Sequence, residues 1–120
     1  MPSSDPAQRF LDILENIGRI EHFTQGLDAK SFAGNETVLL AVKYALMIVS
    51  EAAAKLGDTA AALCPDIPWR EIRGLGNRLR HEYDTVDLTR IWLLIKRDLP
   101  LLRAACQEAL RGLSTNGTAG

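Results

Sequence analysis

The sequence predicts an all-α protein, a four-helix up-and-down bundle whose last helix is kinked. Three observations lead to this fold class. Apolar residues recur three or four positions apart along four long segments. Residues that favour helix starts precede these segments, and glycine follows two of them. No segment shows the sustained alternation of apolar and polar residues that is typical of a half-buried strand.

The first helix is expected to begin after Asp5, with Pro6 in its first turn and Gln8 spaced for a capping box. Its apolar residues form a stripe at helical spacing, and Gly26 is expected to mark its end. The residues around 31–34 are expected to form a connection or a short turn.

The second helix is expected to run from the N-cap Asn35 to about Leu56 and to stop at Gly57. Its N-terminal half is apolar nearly all round, so it must be covered on more than one side. Either another subunit covers the second side, or this is simply the central helix of the bundle. On the same helix, Glu51 either faces the arginines of the next helix or lies in solvent.

The third helix is expected to start near Pro68, with apolar residues on one side and a polar run on the other. Gly74 and Gly76 weaken this helix by about 1 kcal/mol each relative to alanine. Asp87 is the expected cap of a fourth helix. Pro100 falls inside the apolar pattern of that helix and predicts a kink or a restart.

Composition limits the possible functions. The 120 residues are enough for one domain, expected over 1–113 with a disordered tail over 114–120. The net charge of -1 excludes the broad electrostatic grip of a strongly basic nucleic-acid binder, so RNA would have to meet a local basic cluster. Cys64 and Cys106 lack metal-ligand spacing and are expected to be free thiols. Without a signal sequence or a long apolar run, a soluble, cytoplasmic protein with no membrane partner is expected.

The most informative stretch is the polar run from Asn77 to Tyr83. Residues three and four apart share a helix face, so Asn77, Arg78 and His81 project together, and Tyr83 falls where the helix ends. An imidazole moves protons near neutral pH, while guanidinium and amide groups hold a phosphate whose charge grows in the transition state. These are the needs of a metal-free phosphodiester-cleaving site. The same composition is also typical of a solvated helix end, where positive charge is favourable.

Motifs across residues 8–110 resemble the HepT-type branch of the HEPN superfamily. They include Ser-Glu-Ala-Ala-Ala-Lys-Leu in the second helix, followed by Ile-Pro-Trp-Arg-Glu-Ile, Asn-Arg-Leu-x-His-Glu-Tyr and Asp-Leu-Pro-Leu-Leu. The sharpest family motif is Arg-x4-His-x-Tyr. The resemblance implies a dimeric HEPN-like bundle that is the toxin of a type VII-like toxin–antitoxin pair and cuts RNA, not DNA, without metal or other cofactor. It implies an MntA-like nucleotidyltransferase as the antitoxin, which in some members adds AMP to the motif tyrosine, here Tyr83.

The resemblance also implies roles for individual residues. His81 would be the general base that takes the 2′-hydroxyl proton or the acid that protonates the leaving oxygen. Arg78 and Asn77 would orient the phosphate, and Tyr83 would be a neighbour of the site. The product would be a 2′,3′-cyclic phosphate.

The chain departs from the motif at Gly76, which stands five residues before His81 where the family has arginine. Arg73 and Arg80 are possible RNA contacts, but neither has the spacing of the missing arginine. Losing a transition-state phosphate contact costs on the order of a hundredfold in rate, so reduced or lost activity is expected. Because position 76 looks exposed, arginine there is expected to raise both stability and cleavage.

A non-catalytic interpretation stays open beside the enzyme. In it, the bundle is a binding module whose polar groove docks a nucleotidyltransferase or a nucleotide. Gly76 favours this alternative, whereas the presence of both His81 and Tyr83 favours the enzyme.

Overall fold

The computed structural model describes residues 5–82 and 85–119, with side chains described as far as residue 114. Within these ranges the protein is helical and has no strand, which confirms the predicted all-α fold. A π-helical segment, Leu94–Asp98, joins the last two helices. In chain order the α-helices are α1 (Pro6–Thr24), α2 (Ala29–Ala33), α3 (Glu36–Leu56), α4 (Asp58–Leu63), α5 (Trp69–His81), α6 (Leu88–Leu93) and α7 (Leu99–Ala119).

The long helix α3 lies at the centre of the bundle, because α1 and α5 both pack against it while α7 packs against α1. Central packing does not cover all of its apolar surface: the side chains of Leu40 and Tyr44 are 56% and 67% exposed. By length and composition α3 is also the one helix in the described ranges that would suffice to cross a bilayer. A core helix meets that criterion too, and much of this one forms the core.

The core comes from the inward side of each long helix, at the three- and four-residue spacing expected from the sequence. Burying each large apolar side chain contributes about 1.5–3 kcal/mol relative to leaving it in water. The buried residues that build it include Phe10, Ile13, Ile17 and Ile20 of α1; Val42, Leu46, Val49, Ala53 and Leu56 of α3; Trp69, Leu75 and Leu79 of α5; and Ile91, Ile95, Leu99, Leu102 and Cys106 near the end of the chain.

The start of α1 confirms the predicted cap but not the full capping box. An Asp5 side-chain oxygen accepts a hydrogen bond from the Gln8 backbone N–H at 3.2 Å. The Gln8 side chain, however, donates to Asp12 at 2.9 Å, one turn further along the helix. After Thr24 the chain turns through Gly26, whose φ of 79° is a conformation that glycine adopts readily.

The predicted bounds of the second long helix are confirmed. Asn35 caps α3 by accepting from the Val38 N–H at 3.1 Å, and Gly57 ends it with φ 55°. Sequence analysis missed the short helix α4, which occupies part of the expected connection before Pro68. Its alanine-rich sequence favours a helix, and Ala60 buries it against the core.

The expected turn at 31–34 belongs to the short helix α2 and the glycine that follows it. Asp28 and Ser31 form a reciprocal capping box: the Asp28 side chain accepts from the Ser31 N–H at 2.8 Å, and the Ser31 hydroxyl accepts from the Asp28 N–H at 2.9 Å. The pKa of the Asp28 carboxyl is lowered by the bond from the Ser31 N–H and by one that the Ser31 hydroxyl donates to the same oxygen at 3.0 Å, because both favour the charged form. Phe32 then packs on Trp92 with ring centroids 5.0 Å apart, which ties α2 to α6.

Pro100 disrupts the last helix as predicted, and it does so through the π-helical segment. Proline has no N–H, and its ring clashes with the carbonyl four residues earlier in a regular α-helix. Here the Leu99 N–H bonds to the Leu94 carbonyl, five residues back, which widens the turn just before the proline. The helix therefore passes Pro100 with a π-type turn and resumes as α7.

The backbone of α7 is helical to Ala119, beyond Leu113 where the sequence placed the end of the folded domain. The helix therefore ends later than expected. A helical backbone does not test the division into a domain of 1–113 and a disordered tail of 114–120, which stays a prediction.

Both cysteines are free and buried, which confirms the expected thiols. The Cys64 thiol donates to the Ala105 carbonyl at 3.4 Å. Burial raises the pKa of Cys64, and burial together with the neighbouring Cys64 raises the pKa of Cys106 to about 12. Both side chains are therefore neutral packing groups near pH 7, where the reactive thiolate is disfavoured.

Candidate active site

Helix α5 is held at its start by Trp69. This residue is buried, and its indole N–H donates to the Cys64 carbonyl at 2.9 Å. Leu75 and Leu79 lie on the same inner side and are also buried, where α5 packs against α3. Anchoring one side of the helix leaves the opposite side in solvent.

The exposed side of α5 carries the predicted site residues. Asn77, Arg78 and His81 are all exposed, and their three- and four-residue spacing places them together on the helix surface. We call these three residues the polar face. Arg80 is also exposed and donates from Nη1 to the Asn77 side-chain oxygen at 3.4 Å, whereas Arg73 is half-buried.

The end of α5 favours positive charge. The Glu82 N–H donates to the Arg78 carbonyl at 2.7 Å and closes the last turn, where Arg78, Arg80 and His81 complement the negative end of the helix dipole. Tyr83, the predicted site neighbour and modification target, lies outside the described residues.

Position 76 is buried, and the expectation that it is exposed is wrong. Gly76 faces Ser50 of α3, itself only 3% exposed. The Ser50 hydroxyl donates to the Arg73 carbonyl at 3.0 Å and accepts from the Gly76 N–H at 3.1 Å. Glycine at this position therefore lies in a close contact between two helices.

The contact leaves no room for a side chain at position 76. A β-carbon built there would lie 2.7 Å from the β-carbon of Ser50 and closer still to its hydroxyl oxygen. Gly74 differs, because nothing lies within 4 Å of a β-carbon built at that position. The expectation that arginine at position 76 stabilises the helix is therefore wrong.

The sequence contains a signal for this contact. Ile72, Gly76 and Leu79 are four and three residues apart and share the apolar side of α5. Ser50 likewise occupies a position on the apolar side of α3, four residues after Leu46. A glycine and a serine on facing apolar stripes indicate a close helix–helix approach.

Glu51 and the other histidine of the chain, His22, do not join the site. Glu51 is exposed and forms an ion pair with Lys55 at 3.5 Å one turn along α3, so it lies in solvent instead of facing the arginines of α5. His22 is exposed on α1, and its imidazole packs beside Phe23 with ring centroids 6.2 Å apart.

The part of the chain that the structure describes holds no metal-type cluster, and one pocket in it lies away from the polar face. Over residues 5–82 and 85–119, no group of three His, Cys, Asp or Glu side chains is arranged to hold a metal ion. One pocket of about 210 Å³ lies between the end of α1 and the π-helical segment. Its lining residues are Glu21, Thr24, Gln25, Ile95, Lys96 and Pro100.

Comparisons with known proteins confirm the family resemblance. The HepT-like family, described as "Ribonuclease HepT-like", matches residues 13–109. A Thermococcus cleftensis protein named "Probable ribonuclease HepT" is 36% identical over 97 residues, 81% of this chain and 88% of the relative. A Methanocaldococcus jannaschii protein provisionally named an RNase is 32% identical over 103 residues, 86% of this chain and 94% of the relative. No solved structure matches the chain significantly. The chain belongs to the HepT-like ribonuclease family.

Proposed function

We propose that this protein is a metal-independent endoribonuclease of the toxin type, with activity reduced or lost because glycine occupies position 76. The observation that carries the proposal is the polar face, which places an imidazole, a guanidinium and an amide on one exposed side of α5. The chain that carries this face belongs to a ribonuclease family. RNA is the substrate that this family implies.

The chemistry is transesterification within the RNA strand. A 2′-hydroxyl loses its proton and attacks the adjacent phosphorus, the bond to the 5′-oxygen breaks, and a 2′,3′-cyclic phosphate remains beside a new 5′-hydroxyl. His81 acts as the general base for the first proton or as the acid for the leaving oxygen. Arg78 and Asn77 hold the phosphate oxygens, and the guanidinium offsets the charge that grows on them.

The test of this function is a cleavage assay in excess chelator. Purified protein is incubated with a mixture of structured RNAs, and the ends of the fragments are identified by mass. We expect 2′,3′-cyclic phosphate and 5′-hydroxyl ends. Because Ser50 blocks a side chain at position 76, arginine is tested there in the double variant Ser50→Gly/Gly76→Arg, which is expected to cut about a hundredfold faster or more than Ser50→Gly alone. If none of these proteins cuts any RNA, the ribonuclease proposal is wrong.

We propose that the protein acts as a homodimer. The exposed Leu40 and Tyr44 stand one turn apart on α3 and form an apolar surface on an otherwise central helix. A second copy covering this surface would also bring two polar faces into one assembly, and a second imidazole would supply the acid where the first supplies the base.

Light scattering is expected to give about twice the chain mass of 13.2 kDa at micromolar concentration. The interface should bury about 1,500 Å² or more in total. A charged variant, Leu40→Glu, is expected to halve the mass without unfolding the protein, because it places a carboxylate in the apolar contact. A mass near that of one chain for the parent protein would overturn the dimer.

We propose an MntA-like nucleotidyltransferase as the antitoxin partner and Tyr83 as the residue that it modifies with AMP. Tyr83 follows His81 by two positions in the sequence, and this closeness to the polar face supports it as the modified residue. Such a modification would add a phosphate next to the polar face and block RNA by charge repulsion. Partner and toxin would then meet in the cytoplasm.

Co-incubation with the partner and ATP is expected to add one or more AMP units, measured by intact-protein mass. The chain has two tyrosines, so Tyr44 supplies a matched control. Tyr83→Phe should lose the adduct, whereas Tyr44→Phe should keep it. An adduct that persists in Tyr83→Phe would refute the assignment.

A second candidate function is the non-catalytic binding module. The observation that favours it is the contact between Ser50 and Gly76. At the position where the family motif has a phosphate-holding arginine, this chain has a glycine packed against another helix. In this alternative the polar face binds a nucleotidyltransferase or a nucleotide. Tight partner binding without RNA cleavage, in the parent and in the double variant alike, is its expected result.

A further inference from the structure

We infer that Ser50 is the positioning residue for the polar face and that Ser50 and Gly76 form one coupled pair, in which the serine requires the glycine. The pairing stands on packing alone. Its consequence for catalysis rests on the proposed function.

The Ser50 hydroxyl is a buried cross-link from α3 to the backbone of α5. It donates to the Arg73 carbonyl at 3.0 Å and accepts from the Gly76 N–H at 3.1 Å. A hydroxyl has one proton to donate, and Ser50 uses it here together with one of its lone pairs. Since both partners are backbone groups, the contact fixes the helix itself and not a mobile side chain.

The cross-link lies next to the polar face. Asn77 directly follows Gly76, and Arg78 and His81 are in the next turn. Two glycines make this part of α5 intrinsically weak as a helix. A hydrogen-bonded anchor on α3 therefore has a large influence on how α5 is rotated about its axis and how closely it packs against α3. Ser50 therefore sets where the polar face projects without contacting substrate.

The pair is coupled because the crowding at position 76 involves the β-carbon of Ser50. That atom lies 2.7 Å from a β-carbon built on Gly76, and no change of side-chain rotamer moves it. Alanine at position 50 would keep the β-carbon and the clash, whereas glycine would remove both. A side chain at position 76 and a side chain at position 50 thus exclude each other at the present helix spacing.

Thermal unfolding of the full chain tests the coupling. Gly76→Ala is expected to lower Tm by roughly 5–10 °C in the parent and also in a Ser50→Ala background, because overpacking persists in both. In a Ser50→Gly background the same change should leave Tm unchanged or raise it. Gly74→Ala is the matched control and should raise Tm by a few degrees in all three backgrounds, since open space surrounds that position. If Gly76→Ala behaves like Gly74→Ala in the parent, the coupling is wrong.

Amide hydrogen exchange tests the positioning role in Ser50→Ala. Exchange at Gly76 through His81 is expected to become at least about tenfold faster, while amides in the middle of α1 change little. Where the parent protein cuts RNA, the kcat of Ser50→Ala should be lower than that of the parent, with little change in KM. Unchanged exchange over Gly76–His81 would overturn the positioning role. Absence of RNA cleavage in every variant would contradict the proposed function alone, because unfolding and exchange are measured without RNA.

Discussion

Replacing Gly76 with arginine alone is expected to destabilise the protein, although arginine is the residue that the family motif has at this position. The new β-carbon would lie 2.7 Å from the β-carbon of Ser50, so the two helices must move apart or α5 must shift. Overpacking of this kind costs about 1–3 kcal/mol or more, against roughly 1 kcal/mol gained by replacing glycine in a helix. We expect a net loss of stability, measured by urea or thermal unfolding.

Gly74→Arg is the matched control for this variant. It adds the same side chain to the same helix two residues earlier, where nothing lies within 4 Å of the new β-carbon. It should therefore raise the free energy of unfolding by up to about 1 kcal/mol. If Gly76→Arg is as stable as Gly74→Arg, the close contact with Ser50 does not constrain position 76.

The expected instability changes how an inactive Gly76→Arg protein would be interpreted. Loss of helix packing displaces the neighbouring Asn77. Low activity would then result from a misplaced polar face and not from the lack of a phosphate contact. Comparing the double variant Ser50→Gly/Gly76→Arg with Ser50→Gly alone separates these two causes, because both proteins lack the crowding and the Ser50 hydrogen bonds and only the double variant carries the guanidinium.

Local sequence signals predicted the helix ends well. The caps at Asp5 and Asn35, the stop at Gly57 and the disruption at Pro100 each depend on a few neighbouring backbone atoms, so they can be recognised from a short stretch of sequence. The short helix α4 was missed because its apolar pattern is too brief to show a helical period.

The error at position 76 had a different origin. A glycine has no side chain to indicate its side of a helix, and the arginine of the family motif is a residue type that is mostly exposed. Its burial depends on Ser50, which is 26 positions earlier on another helix. Contacts of this kind cannot be read from local propensity. They follow from aligning the apolar stripes of α3 and α5, which the sequence contained.

The position of three candidate site residues on α5 was predictable from the sequence. Helical spacing alone placed Asn77, Arg78 and His81 on one side of α5, and the structure shows all three exposed there. Their catalytic roles stay proposals, since exposure is compatible with both an active site and a docking surface. The histidine distinguishes the two, because cleavage needs a group that transfers protons, whereas docking does not.

Removing that imidazole is expected to abolish cleavage without weakening the fold. In whichever protein cuts RNA, the parent or the Ser50→Gly/Gly76→Arg variant, His81→Ala should lower the cleavage rate by about 10²–10⁴-fold. Because His81 is exposed at the end of α5, Tm should change little. The measurement is the initial rate of fragment formation in excess chelator, with unfolding recorded on the same samples.

His22→Ala is the matched control for this loss of activity, since it removes the other exposed histidine of the chain from α1 and should leave the cleavage rate unchanged. Asn77→Ala and Arg78→Ala should weaken cleavage less completely than His81→Ala, because an arginine or an amide that holds phosphate is partly replaced by its neighbours. Equal rates for His81→Ala and its parent would show that the imidazole transfers no proton. The polar face would then act as a docking surface, because binding needs its charge and hydrogen bonds but not its proton transfer.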